Sequence, residues 1–484
     1  MGRIMIAGTN SGCGKTTIVC GILQAFVNDG LKTAGFKCGP DYIDPMFHRE
    51  IIGTKSGNLD GFFMDKETLC FLLAKNSKDC DISVIEGVMG YYDGMGLTET
   101  ASSYQVARDT LTPVILVVPC KGASRSIQAV IKGFLEYEQD SGIRGIIFNE
   151  LPESLYPSME QYCKKIGVRS LGFFPVVKEA RIESRHLGLV TAQEIGDLKE
   201  KVQKLAEVAG KYLDLKGILE LAAEANEPVV ETNVPAAGAC EPKKNACQRE
   251  TGISKLTEVS EIKSPSKTSL RIAVARDKAF CFYYEDNLEL LESLGCQLVN
   301  FSPLEAVQLP EEIDGLILGG GYPELYGERL AANQSLLRDI RNRIVGGLPT
   351  YAECGGYIYL HEKMEDVKGV SYKMAGAIEG TCYFTDRLKH FGYVTMTAKE
   401  DNLLCKKGEK IRAHEFHRCV SDAAETVFDT VKAERHWDSF VAKDNLLAGF
   451  PHVHYYANPH MAERFVEQCR AYRDKKDSCE RKQQ

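Results

Sequence analysis

No stretch of this 484-residue chain approaches the roughly 18 consecutive apolar residues that a membrane-crossing helix requires. The chain also has no CxxC pair. Its 17 cysteines are odd in number and scattered, which argues against a disulfide framework or a zinc knuckle. They read as small buried thiols in a reducing cytoplasm. Positive charge is not in excess, and the formal net charge of −8 argues against a nucleic-acid partner. A strand-like run begins at the very N-terminus, so a signal peptide is not expected. What is there is 44% hydrophobic and 26% charged, the balance of a globular protein of two or three domains.

The most informative stretch comes first. Residues 4–7 are a short apolar run of strand length, followed by Gly8-Thr9-Asn10-Ser11-Gly12-Cys13-Gly14-Lys15-Thr16-Thr17 and a helical pattern to residue 27. A strand, a glycine-rich turn and a helix N-terminus together make an anion site, with amide N–H groups and the helix dipole aimed at phosphate. Thr9, Gly12, Gly14, Lys15, Thr16 and Thr17 are therefore expected to hold a nucleotide, Lys15 at the β/γ-phosphates and the Thr16 hydroxyl on Mg²⁺. The usual spacing of this motif puts Gly at position 9; here the glycine stands one place earlier, at Gly8.

A second strand is expected over 31–38, running into Gly39-Pro40-Asp41-Tyr42-Ile43-Asp44-Pro45. Two carboxylates at a strand's end suit Mg²⁺ or a cationic substrate group, although Asp44 as a helix N-cap would also account for the pattern. Asn58-Leu59-Asp60 reads as a polar turn. The strand at 81–86 ends in Glu86, and glycines with Asp93 follow; an acidic residue at a strand tip beside a phosphate loop is the expected second metal ligand. Thr16, Asp44 and Glu86 form the candidate metal set, with Asp41 and Asp93 as candidates for substrate or metal contact. Further strands over 113–118, 145–148 and 171–174 alternate with helices, which implies a doubly wound parallel sheet. The 145–148 strand ends in Asn149, placed to meet an adenine edge. A polar segment from Glu183 to Leu189 leads into helices up to about residue 224.

Residues 225–268 hold Pro228, Pro235, Pro242 and Pro265 and no aromatic residue, and read as a flexible linker in which Cys240 and Cys247 are incidental. The pattern then restarts as α/β, with strands over 270–275, 297–301 and 315–318 and a helix over 287–294. Residues 349–352 lead into Glu353-Cys354-Gly355-Gly356, a strand, a sharp turn carrying a thiol and a helix: a nucleophile elbow. The turn is expected to expose the sulfur, and the helix N-terminus to lower its pKa. Gly320 and Gly321, in Gly319-Gly320-Gly321, are oxyanion candidates. A base is expected among His414, His417, His452 and His454, and strand alternation would put His452 and His454 on one face. A last helix is expected over 459–473, then a charged tail over 474–484.

Taken in order, these motifs resemble one family. The displaced phosphate loop matches the dethiobiotin-synthetase-like ATPases. Gly39-Pro40-Asp41-Tyr42-Ile43-Asp44-Pro45, Asn58-Leu59-Asp60, Glu86-Gly87 with Gly90, His186-Leu187-Gly188, Gly319 to Glu324, Ala352 to Gly356 and His414-Glu415-Phe416-His417 extend the match. The whole is similar to the cobyrinate a,c-diamide synthases, the corrin-ring amidases of cobalamin synthesis.

The resemblance implies a fold and two coupled half-reactions. Residues 1–224 would be an ATP-binding amidation domain on a doubly wound parallel sheet. Residues 269–473 would be a class I glutamine amidotransferase domain of flavodoxin-like α/β architecture. ATP-Mg would phosphorylate the a- and c-acetate carboxylates, and ammonia freed from glutamine through a Cys thioester would displace phosphate. Cys354 is then the nucleophile and His452 its base, with His454 the alternative. The Glu that class I enzymes carry two residues after that His is replaced by His454, which leaves the orienting residue unassigned. Small molecules (glutamine, ATP and cobyrinate or a related tetrapyrrole) are the expected partners, with no nucleic acid and no membrane, and with room for a homodimer. Two alternatives share parts of the pattern: an amidase acting on nickel sirohydrochlorin, and a P-loop regulatory ATPase fused to a sensing domain.

Overall fold

The computed structural model describes residues 2–180, 192–225 and 269–483. The polar segment Glu183 to Leu189, with His186, and residues 226–268 with Cys240 and Cys247 lie outside the described residues. The chain divides into two compact units, Met1–Ile253 and Ser254–Gln484.

The first unit is built on seven parallel strands: β1 (Gly2–Gly8), β2 (Thr33–Cys38), β3 (Lys55–Leu59), β4 (Ile82–Glu86), β5 (Val114–Pro119), β6 (Ile143–Asn149) and β7 (Arg169–Phe174), in the order β3-β2-β4-β1-β5-β6-β7. Each expected strand in this unit is present within two residues of its expected ends. The runs that form them are apolar and β-branched because both faces are covered by helices. The core draws Ile4 and Ile6 from β1, Val84 from β4, Ile115 and Val117 from β5, and packs them against Ile18, Ile22 and Phe26 of helix α1 (Lys15–Asn28). Parallel register sets Ile6 beside Glu86 and Glu86 beside Lys37, so two charged side chains share one row at the carboxyl ends of central strands. In open α/β sheets that edge is where ligands bind.

In the second unit, β8 (Leu270–Ala275), β9 (Phe280–Phe282), β10 (Cys296–Phe301), β11 (Gly315–Leu318), β12 (Gly320–Gly321) and β13 (Thr350–Glu353) precede the thiol turn. β14 (His361–Glu365), β15 (Ser371–Lys373), β16 (Ile378–Ala398), β17 (Lys410–Ser421), β18 (Phe428–Lys432), β19 (Arg435–Ser439), β20 (Val441–Lys443), β21 (Leu446–Gly449) and β22 (His452–Val453) follow it. One sheet runs β10-β8-β11-β13-β21-β20, parallel except for its β20 edge. A second, mostly antiparallel sheet contains β15-β14-β16-β17-β22, with β18 and β19 added. It carries the histidine motif of β17 up to β22, where His414 pairs with His452. The last helix runs His460–Gln483, well past its expected end at residue 473, and takes in the stretch expected to be a charged tail.

Candidate active sites

The phosphate loop takes its shape from two glycines. Gly12 and Gly14 sit at φ +76° and +96°, where an L side chain is strained. Gly14 caps α1, and a Cβ there would lie 2.3 Å from Asn149 Nδ2. Asn149 Nδ2 donates to the Cys13 carbonyl at 2.9 Å, so this strand-end residue braces the loop rather than standing clear of it. Lys15 is buried, and its ammonium donates to Met89 O at 2.6 Å and to Asn10 O at 3.2 Å. Thr9 donates its hydroxyl to Asn10 Oδ1, and Thr17 lies in the first turn of α1.

Thr16 and Glu86 meet directly, with Thr16 Oγ1 donating to Glu86 Oε1 at 2.5 Å. Between Glu86 and Asp44 stands a residue the sequence reading passed over. Lys37 Nζ donates to Glu86 Oε1 at 2.7 Å and also to Asp44 Oδ2. All three side chains are buried. Burial alone would discharge Lys37, but Glu86 and Asp44 outweigh it and hold the ammonium well above its usual range. Burial likewise opposes the charge on Asp44, and Lys37 overrides it and lowers that carboxyl. Glu86 is pushed up to about 7 by burial, Lys37 pulling it down and Asp44 pushing it further up. The other Glu86 oxygen, Oε2, is buried without a hydrogen-bond partner.

The structure gives local roles to three of these polar residues. Asp44 is not the cap of α2 (Ile43–Phe47); Asp41 takes that work, its Oδ1 accepting from the Ile43 and Asp44 amides. Asn58 is no idle turn: from the end of β3 it donates to Gly39 O and Asp41 O and ties down the Gly-Pro-Asp turn. Asp93 is exposed, and its Oδ2 accepts from Gly90 N at 2.9 Å within its own loop. Among the described residues no cluster of three or more His, Cys, Asp or Glu side chains is placed to hold a metal ion.

The thiol site is built by opposite means. Cys354 sits between β13 and the helix Gly355–Leu360 at φ +45° and ψ −99°, a strained positive-φ conformation for a residue that has a Cβ. The turn is pinned by Cys354 N donating to Gly449 O at 2.8 Å. Its tightness excludes side chains: a Cβ on Gly356 would lie 2.1 Å from Leu318 O. A Cβ on Gly355 would lie 3.0 Å from Gly321 N, and one on Gly320 would lie 2.6 Å from His452 Cε1. The elbow, the glycine run and His452 therefore meet at one point.

The sulfur is not exposed as expected; Cys354 is buried. Burial pushes the thiol well above its usual range, with Glu324, Cys419 and Glu353 adding to the effect and a hydrogen bond from the Gly355 amide only partly opposing it. A helix of six residues does not offset that desolvation.

The histidines separate cleanly. His452 and His454 do not share a strand face, because β22 stops at Val453 and His454 opens the 3-10 helix Tyr455–Ala457. His454 packs its ring 4.7 Å from that of Tyr284 and accepts from Tyr456 N. His452 Nδ1 lies 3.3 Å from Glu353 Oε2. His417 uses both ring nitrogens, on Cys419 O at 2.7 Å and Glu415 Oε2 at 2.9 Å, and stacks on Phe450. His414 is pushed down to about 3 by burial, His452 and Lys432, and so stays neutral.

A phosphate loop on one sheet and a cysteine elbow on another are the two catalytic halves of a glutamine-dependent ligase. Residues 4–190 match the CobQ/CobB/MinD/ParA nucleotide binding domain, and residues 271–460 match the CobB/CobQ-like glutamine amidotransferase domain. The cobyrinate a,c-diamide synthase of Thermoplasma volcanium is 37% identical over 98% of this chain and 99% of its own. Those of Caldanaerobacter subterraneus and Listeria monocytogenes are 35% and 37% identical, over 97% and 95% of this chain and 98% and 97% of theirs. The chain belongs to the cobyrinate a,c-diamide synthase family.

Proposed function

We propose that this chain amidates the a- and c-acetate carboxylates of cobyrinate, using ATP and glutamine, in the cytoplasm. Residues 1–224 form the amidation domain, 225–268 the linker and 269–473 the glutaminase domain. The observation that carries the reading is the elbow cysteine at φ +45°, whose following glycine packs on the same Gly320-Gly321 run that His452 packs against, in the same chain as a glycine loop whose threonine sits at a buried carboxylate. Relatives that bear this activity in their names align over nearly the whole chain.

Cys354 attacks the glutamine side-chain carbonyl, and His452 takes the thiol proton and passes it to the departing ammonia. Gly320 and Gly321, packed against His452 and the elbow, are the oxyanion candidates. In the other domain Thr9, Gly12, Gly14, Lys15, Thr16 and Thr17 hold the triphosphate, with Asn149 bracing the loop. A carboxylate is a poor acyl donor until its oxygen becomes a leaving group. Transfer of the γ-phosphoryl makes the acyl phosphate, and ammonia then forms the amide and releases phosphate.

Mg²⁺ fits the donor set: Thr16 Oγ1 and the unpartnered Oε2 of Glu86 are hard oxygen donors, and Asp44 lies across Lys37. When bound, it would neutralise charge on the phosphates. Such a site needs few protein ligands, because water and phosphate oxygens supply the rest. Asp41 and Asp93 are the further candidates for substrate or metal contact, Asp93 from its exposed loop.

The test is product mass after incubation with ATP, glutamine and either cobyrinate or nickel sirohydrochlorin. Two successive amidations of cobyrinate are expected. Amidation of nickel sirohydrochlorin alone would move the reading to the other macrocycle, and no ATP-dependent amidation would overturn it.

A further inference from the structure

The residue that orients His452 is missing from its usual place, two positions downstream, where His454 stands. A buried carboxylate reaches the ring from elsewhere. Glu353, the last residue of β13, lies immediately before the nucleophile; its Oε2 is 3.3 Å from His452 Nδ1. Its Oε1 accepts from Val453 N at 3.0 Å and from the Tyr351 hydroxyl at 2.6 Å. The carboxylate thus grips both the ring of His452 and the backbone one residue on, and Tyr351 stops it from rotating. Alternation in β13 explains the placement: Tyr351 and Glu353 share a face, and the turn at Cys354 brings the next residue, the nucleophile, to the same corner.

We propose that Glu353 is the positioning residue of the glutaminase, holding the proton of His452 on Nδ1 so that Nε2 can accept the proton of the Cys354 thiol. This rests on His452 being the base. The hydrogen bond is long in the resting state and shortens as the ring becomes positive. The nucleophile and the group that orients its base are then neighbours in sequence, on opposite sides of the histidine.

Glu353→Gln is the informative variant. Its carbonyl can still serve the Val453 amide and the Tyr351 hydroxyl, which leaves the amide NH₂ facing His452 Nδ1. That donor forces the ring proton onto Nε2, the wrong tautomer for a base. The expected result is a fall in glutaminase kcat on the order of 10²–10⁴-fold with KM for glutamine little changed, as for a carboxylate acting through a histidine. The loss should also vanish in a His452→Ala background, because Glu353 acts only through that ring. A merely structural Glu353 would lower thermal stability and multiply with His452→Ala. Parental kcat in Glu353→Gln, or multiplying losses, overturns the proposal. If Glu353→Gln does not fold, Glu353→Asp takes its place, with the same non-additivity expected and additivity again overturning it. If His452→Ala itself keeps parental glutaminase, the assignment of the base fails first, and that outcome is read independently of Glu353.

Discussion

The two sites start from the same local design, a strand, a glycine turn and a helix N-terminus, and diverge in how they spend their conformational freedom. At the phosphate loop the left-handed positions are given to glycines, Gly12 and Gly14, which leaves the turn without side chains there. At the thiol the positive-φ position is given to Cys354, while the glycines lie after it and against it, at Gly355, Gly356 and Gly320. One site strips away side chains so that backbone can surround an anion. The other strips away side chains so that a single sulfur can be held in strain against its partners. The electrostatics diverge in the same way: charges in the first site are paired by Lys37, whereas burial keeps the thiol of the second neutral.

The largest effect that separates the two is expected from Cys354→Ala. Glutamine-dependent amidation should fall on the order of 10³-fold or more, since the covalent step is gone. Amidation from ammonium salts with ATP should persist at near the parental rate. Loss of both, in a folded protein that binds ATP, would mean that the sites do not divide the labour.

The reciprocal variant, Lys15→Ala, should lower ATP-dependent amidation by about 10²–10³-fold, the size of a lost charge clamp on a transferring phosphoryl group. Basal glutaminase, followed as glutamate release, should remain. Lys37→Met should resemble it, because two buried carboxylates would lose their shared cation.

The neutral state of the thiol predicts a pH dependence. A thiol held well above its usual value gains thiolate about tenfold per pH unit below that value. Alkylation of Cys354 by iodoacetamide, measured as modified peptide, should therefore climb without a plateau from pH 7 to pH 9, about 10²-fold in all. A plateau in that range would show a thiolate stabilised in the resting site.

The smallest effect is expected from Gly14→Ala. At φ +96° a Cβ is strained and would meet Asn149 Nδ2. A cost of about 1–3 kcal/mol should weaken nucleotide binding by roughly tenfold or more, read as KM for ATP, with glutaminase untouched. An unchanged KM would mean that the loop reshapes when the nucleotide enters.

The parallel sheets were legible because burial on both faces leaves runs such as those of β1, β5 and β11 almost free of polar residues. The antiparallel sheet was not. β16 is a 21-residue strand whose faces are mixed and partly exposed, and its pairing with β17 is interrupted at Phe384, Lys389 and Gly392, so no period of two survives in the sequence. Lys37 carries a signal of its own: a lysine near the end of a fully buried strand has to find carboxylates. Glu353 carried the same kind of signal one residue before the cysteine. The thiol is harder to ionise than its place before a helix suggests, because sequence reveals a helix start but not how deeply the residue ahead of it is buried.

The parking of Lys15 has a consequence for ligand selectivity. Its ammonium is already satisfied by two loop carbonyls, those of Met89 and Asn10. An incoming anion must therefore replace bonds the protein makes with itself, not bonds to water. A lone inorganic phosphate or sulfate offers a weak exchange, whereas a triphosphate engages the ammonium, the loop amides and the Thr16 hydroxyl together. On the proposed reading, that exchange is a threshold that a polyphosphate would pass where a small anion would not. One of those carbonyls belongs to Met89, itself at φ +47°, so its displacement by a nucleotide would bear directly on the glycine-rich segment that follows Glu86.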